Sequence, residues 1–311
     1  MSKYAIQRVP AAQARQVLRL TLASPGQTPS ETEIHVATFI NHARALSLDL
    51  GQQWLAQEGG RIVAACSCLE SPGRTGLLFL SAYGLCGGLR DALQDLIDHI
   101  LADQAQRNLR LAQCLLNLDD RENDQILSQA GFHSITDLIY MECDVPRMAL
   151  GWKESPVRTD LCWGDYKTSG HQDFAELIQA TYRGSLDCPA MTGLREIEDI
   201  IAGHKSVGLF QPHRWRLTRV QGSPAGCILL GENPLRRILE VAYMGVHTAR
   251  RREGLGRLLI EDALRLAYHE RFEKVTLAVD AKNEPAMRLY RGAGFVETMR
   301  RRAMIRLHDS K

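Results

Sequence analysis

The sequence lacks the features that would assign it at once to a membrane, a disulfide scaffold or a metal site. No run of about 18 apolar residues occurs in its 311 residues, so no transmembrane helix and no membrane partner are predicted. The opening stretch MSKYAIQRVPAAQARQ has neither the apolar core nor the cleavage site of a signal peptide, and the expected location is cytoplasmic. Cys66, Cys68, Cys86, Cys114, Cys143, Cys162, Cys188 and Cys227 include no CxxC pair, and most lie in apolar runs. Buried free thiols are therefore expected, with no disulfide framework and no metal. A GxxxxGK followed by Ser or Thr is missing, which excludes the usual triphosphate loop. A GxGxxG with an acidic residue about 20 positions on is missing too, which excludes the usual dinucleotide fingerprint. With 45% hydrophobic and 24% charged residues, disorder and fibre are excluded, and the length predicts two domains or one large one.

What is present begins with an asymmetry of charge. Residues 236–311 hold 17 Lys or Arg against 10 Asp or Glu, a balance of +7, which leaves −5 for residues 1–235 within a net +2. Such an excess is either a solvated Arg-rich helix face or a surface for an anion. Nucleic acid is not the expected partner, because no interleaving of aromatic and basic residues accompanies the excess.

Internal repetition is the second positive feature. An offset of 161 pairs Trp54 with Trp215, Ala64 with Ala225 and Cys66 with Cys227. Further on, an offset of 163 pairs Ala130, Gly131 and Phe132 with Ala293, Gly294 and Phe295, and Met141 with Met304. Both halves read as a helical segment, two β-runs, a long amphipathic helix, a β-run, a short helix, a Gly-Phe turn and a last β-run. Two copies of one α/β (mixed α+β) domain are predicted, 1–150 and 151–311. Their seam is expected at Leu150–Pro156, where periodicity lapses and Gly and Pro interrupt the pattern.

In the second copy a β-rich run, Arg237–Val246, feeds the polar stretch His247–Glu253. Leu255, Leu258, Leu259, Leu266 and Ala267 then recur at helical spacing. Arg251, Arg252, Gly254, Leu255 and Gly256 thus sit where a strand passes into a helix. Free N–H groups and the partial positive charge at a helix start favour an anion, and glycines let a phosphate approach the backbone. A second β-run, Val275–Val279, precedes Asp280, Asn283, Ala286, Leu289, Tyr290, Gly294 and Phe295.

These paired motifs resemble the GNAT superfamily of acyl-CoA-dependent N-acyltransferases. That family shows a V-H-P-x-x-R-x-x-G-x-G-like loop followed by N-x-x-A-x-x-L-Y-x-x-x-G-F. Here Val246, His247, Arg251, Gly254 and Gly256 match the first, and Asn283, Ala286, Leu289, Tyr290, Gly294 and Phe295 the second, with Thr248 in place of the usual proline. The resemblance covers about 158–307 and is far fainter in the first copy, an arrangement similar to two-copy members such as mycothiol synthase. The first copy has no R-x-x-G-x-G after Leu77–Tyr83, and Leu127 occupies the place of Tyr290. Its Gly87 and Gly88 hold an anion or cap a helix.

The resemblance implies two tandem GNAT-like domains, each a mostly antiparallel sheet flanked by helices, and an acetyl-CoA co-substrate. It puts cofactor contacts on Met244, Val246, Arg251, Arg252, Gly254, Leu255, Gly256 and Asn283. Tyr290 matches the tyrosine that protonates the departing thiolate, or else is a core aromatic. Glu240, a carboxylate inside an apolar strand, is either the base or a strand residue facing solvent, Arg236 or Arg237. Asn283 is either a cofactor-side residue or a helix N-cap. His247 and His269 are expected to be structural. The segment Arg183–Ala190 should build the acceptor pocket, Asp187 either attracting an ammonium or shaping the loop. The expected activity is transfer of an acetyl group to the amine of a small molecule. A protein amino group as acceptor and a non-enzymatic acyl-CoA sensor are the alternatives.

Overall fold

Runs of alternating or continuous apolar residues become strands here, and turn residues set their ends. The computed structural model describes residues 3–24, 26–82, 90–149 and 159–308. The expected seam at Leu150–Pro156 and the glycines Gly84, Gly87 and Gly88 lie outside the described residues. The chain divides into two compact units, Met1–Ile135 with Arg301–Lys311, and Thr136–Arg300.

The first unit contains β1 (Ala5–Val9), α1 (Ala14–Thr21), α2 (Pro29–Ala45), β2 (Gln53–Glu58), β3 (Arg61–Ser71), β4 (Thr75–Leu80), α3 (Arg90–Gln106), β5 (Leu111–Leu116) and α4 (Arg121–Gln129). Helix α2 starts where Thr28 and Glu31 cap each other, with Pro29 in the first turn, where its missing N–H costs nothing. Along α3, Leu93, Leu96, Ile97, Ile100 and Leu101 recur on one face and bury it against Trp54, Cys66, Leu78 and Cys114 of the sheet. Strands β1 to β5 pair in sequence order, antiparallel except for the parallel pair β4 and β5.

The second unit takes in most of β6 (His133–Asp144) and then α5 (Val145–Ala149), β7 (Leu161–Asp165), α6 (Tyr166–Ser169), α7 (His171–Tyr182), α8 (Ile197–Lys205), β8 (Leu209–Val220), β9 (Ser223–Asn233), β10 (Ile238–Val246), α9 (Leu255–His269), β11 (Lys274–Asp280), α10 (Glu284–Gly292) and β12 (Val296–Leu307) as far as Arg300. Its sheet runs β6-β11-β10-β9-β8-β7, antiparallel except for β10 with β11. One face packs on α9 through Leu239, Val241, Leu259, Ile260, Ala263 and Val275. The other packs on α7 and α8 through Phe174, Ile178, Ile201, Trp215, Cys227 and Leu229. Both units are thus mixed α+β, each a mostly antiparallel sheet flanked by helices.

The last strands go where sequence order alone does not send them. Strand β6 follows the Gly131-Phe132 turn of the first copy yet pairs with β11, Lys274–Asp280 against Leu138–Asp144. The segment Arg302–Leu307 of β12 follows Gly294-Phe295 yet pairs with β5 in the first unit. Met141 and Met304, related by the offset of 163, therefore fill the cores of opposite units. The offset of 161 does not relate equivalent positions at Trp54 and Trp215 or at Cys66 and Cys227. Trp54 packs on the face that carries α3, whereas Trp215 packs on the face that carries α7. A shift of one residue in a strand exchanges its faces, so the Trp and Cys identities are coincidental. Among the described residues no helix is long and apolar enough to cross a membrane.

Candidate active site

The site starts with two strands that part. Strands β10 and β11 pair in parallel only from Ile238 with Lys274 to Val241 with Leu277. Immediately beyond, β10 bulges between Val241 and Tyr243 while its pairing with β9 continues to Val246. A bulge bends its strand and re-aims the side chains that follow. Met244 and Val246 therefore lie past the last pair with β11, where their backbone has no ladder partner on that side. Gly245 belongs here for steric reasons, because a Cβ would come within 2.8 Å of both the Thr181 Oγ1 and the Tyr243 hydroxyl, which lie 2.6 Å apart.

From Val246 the chain turns through His247 to Glu253 into α9. The His247 Nδ1 accepts from the Ala249 N–H and so caps this turn. Arg252 (φ 69°) and Gly254 (φ 81°) are left-handed, and Gly254 is the N-cap of α9 with open space around its missing Cβ. Leu255 and Gly256 open the helix, where N–H groups have no helical carbonyl to bind and the helix dipole is positive. A Cβ on Gly256 would lie 3.2 Å from Leu289.

Arg251 is spent on the protein itself. Its guanidinium donates to the carbonyls of Gly184 at 2.6 Å, Thr181 at 2.9 Å and Arg183 at 3.1 Å. The arginine side chain thus caps the C-terminal end of α7, where carbonyls are left over, which leaves the backbone of its loop as the part that can face a cofactor. Asn283 takes the second of its two expected roles. Its side chain accepts from the Ala286 N–H as N-cap of α10 and bonds to Asp187.

Across the gap, the loop after α7 is fastened to the end of β11 by two acids. The Asp280 N–H donates to Asp187 and the Cys188 N–H donates to Asp280, both at 3.0 Å. Asp280 also accepts from the Thr136 hydroxyl at 2.6 Å and the Lys282 N–H at 2.8 Å. Burial, more than the neighbouring Asp280 charge, pushes the Asp187 carboxyl above its ordinary value. Asp187 thus shapes the loop, one of its two expected roles. The segment 181–188 is held by Arg251 beside β10 and by Asp280 on β11, and so spans the parting.

Glu240 lies in the last paired stretch of β10, opposite Thr276, on the face away from Leu239 and Val241. It is open to solvent, and no hydrogen bond or ion pair reaches it among the described residues. Arg237, one of its expected partners, donates instead to the Arg271 carbonyl. Neighbouring protein atoms nevertheless desolvate the carboxylate in part and raise its pKa. Tyr290 is buried against Phe295 in the core cluster of α9 and α10. Burial first, and then the charge of Asp187, hold its phenol protonated well above the ordinary range.

Residues 174–295 match the acetyltransferase (GNAT) family. A stretch of 83 residues, 25% of the chain, is 42% identical to mycothiol acetyltransferase from Acidothermus cellulolyticus and spans 24% of that protein. The chain thus matches about a quarter of the length of this relative. A GCN5-related N-acetyltransferase from Sphaerobacter thermophilus shares the fold over 99% of this chain and 96% of its own, with a TM-score of 0.66 at 17% identity. A tandem GNAT protein from the clavulanic acid biosynthesis pathway does so over 99% and 100%, with a TM-score of 0.55 at 15% identity.

The second unit has a further polar lobe that no spacing in the sequence announced. On the face that carries α7 and α8, the Tyr182 and Tyr243 rings lie 5.4 Å apart, and the His204 ring lies 5.1 Å from Tyr243. Burial lowers the His204 pKa to about 4, Arg195 adding to the effect, so the imidazole is neutral near pH 7. Arg195 precedes α8 and donates one N–H to the Asp199 carbonyl at 2.9 Å.

Proposed function

We propose that this protein is an acyl-CoA-dependent N-acyltransferase that transfers an acetyl group from acetyl-CoA to the amine of a small molecule. The observation that carries this reading is the parting of β10 from β11 directly beside the glycine-bearing start of α9. Together they offer unpaired strand backbone for an extended, amide-containing chain and N–H groups for a pyrophosphate. The residues fit the co-substrate: Met244 and Val246 bind through their backbone, and Arg252, Gly254, Leu255 and Gly256 through the loop. Arg251 and Asn283 act by positioning that loop and α10. When bound, acetyl-CoA supplies the activated acyl group.

The chain's own residues then handle two protons. An alkyl ammonium has a pKa of about 10, so near pH 7 only about one molecule in a thousand is a free nucleophile. Glu240, unpaired and with its pKa raised, accepts the amine's proton directly or through a water. Tyr290 keeps its own proton because burial raises its pKa, and donates it to the leaving thiolate. Most of the rate comes from holding amine and acyl group together in the cleft. The unpaired Glu240 favours catalysis over a sensor role, which would not need it.

The deciding experiment is a screen of amines for acetyl-CoA-dependent thiol release. Turnover with at least one small amine is expected. Tight CoA binding with no amine turned over would favour the sensor, and turnover of peptide N-termini alone would favour a protein acceptor.

A further inference from the structure

Two buried polar atoms in the α7–α8 lobe are left without a partner among the described residues, the Nε of Arg195 and the Nε2 of His204. Burying a hydrogen-bonding group without a partner is unfavourable, and the penalty is larger for a cation. The two residues act on common neighbours. The Arg195 charge acts on His204 and on Tyr182, and the rings of Tyr182 and His204 both lie against Tyr243. Burial lowers the Arg195 pKa, although the Tyr182 phenol and Asp199 oppose it. This lobe belongs to the acceptor side, because Tyr243 stands on β10 just past the bulge, in the stretch that has parted from β11.

The complement to a guanidinium N–H is an anionic oxygen acceptor, a planar carboxylate matches the fork of an arginine, and the neutral His204 adds a donor to it in the tautomer that carries its proton on Nε2. We infer that the acceptor amine also carries a carboxylate, which Arg195 and His204 hold against the aromatic wall of Tyr182 and Tyr243. The substrate class is then an amino acid or a related amino-carboxylic acid, its amine turned to Glu240 and its carboxylate to Arg195. This inference rests on the acyl-transfer reading above.

The test compares free amino acids with their primary amides, which keep the amine and side chain but lose the negative charge. Thiol release is followed at saturating acetyl-CoA, and calorimetry of the same amino acids on the CoA-saturated protein gives a readout that needs no turnover. The amine of an amide is the weaker base, so more of it is neutral at a given pH, a bias against the expected result. In the wild type, kcat/KM for the preferred amino acid should exceed that of its amide by about tenfold or more. Arg195→Gln should collapse that ratio toward one, through KM, and Arg195→Lys should restore part of it. His204→Gln provides a second variant, and CoA binding with an unchanged Tm shows that each is folded. If no amine is turned over, the transfer reading fails by itself, and the carboxylate site is judged by calorimetry, where Arg195→Gln should weaken amino acid binding by about tenfold. Amides that serve as well as acids, a preference that survives both Arg195→Gln and His204→Gln, or no amino acid that either reacts or binds would overturn the inference.

Discussion

In the first unit β4 and β5 run parallel over four residue pairs, Thr75 with Leu111 to Leu78 with Cys114. In the second, β10 and β11 do the same, from Ile238 with Lys274 to Val241 with Leu277. The offset of 163 relates these pairs position by position, so the parting of two parallel strands belongs to the fold and not to one unit. What differs is what surrounds the parting. Strand β4 keeps an unbroken register with β3, whereas β10 bulges. Leu77 occupies the position of Glu240, and Leu127, fully buried in the core, that of Tyr290. Under the proposed function the shared backbone would carry chemistry in the second unit and packing at the corresponding positions of the first, because function depends on the groups placed on a fold.

The strongest way to break this comparison is to spoil the start of α9. Gly254→Asp together with Gly256→Asp imposes a left-handed backbone on a residue with a Cβ and puts two carboxylates where a pyrophosphate would sit. CoA affinity, read by calorimetry, should fall by about a hundredfold or more. Next in size is Tyr290→Phe, which should lower kcat by about ten- to a thousandfold while CoA affinity stays nearly unchanged. An unchanged rate would make Tyr290 a core aromatic like Leu127.

Glu240→Gln keeps shape and hydrogen bonding and removes proton acceptance. In the wild type the rate should rise with pH through the Glu240 pKa, which desolvation places above the ordinary carboxylate value. The variant should lose about tenfold near pH 7 and regain part of it at high pH, where the amine is already deprotonated. A wild-type profile in that variant would leave Glu240 a solvated strand residue. The smallest expected effect on activity belongs to Leu127→Tyr in the first unit. It overfills a closed core and should cost about 1–3 kcal/mol of stability, read as a lower Tm. It should not alter kcat.

The loop Val246–Gly256 and the run Asn283–Phe295 were legible in the sequence because each is a local pattern whose spacing fixes a strand end, a helix start or a turn. Glu240 stood out for a similarly local reason, as one carboxylate in an apolar run. Arg251 shows where local reading stops. The same residue type at the same spacing serves a cofactor or three carbonyls, and those carbonyls lie about 70 positions away in the chain. The exchange between Asp187 and Asp280 spans 93 positions, and the meeting of Arg195, His204, Tyr182 and Tyr243 is likewise a product of folding. The pairing of β6 with β11 was equally hidden, since an apolar alternation fits any sheet with an open edge. The pairing of Trp54 with Trp215 failed because identity says nothing about which face a residue takes.

The most direct test of the contrast between the units is the stoichiometry of CoA binding, measured by calorimetry on the full chain. One CoA per chain is expected, lost in the Gly254→Asp, Gly256→Asp variant. Two per chain, or one that persists in that variant, would contradict the assignment of the cofactor cleft to the second unit.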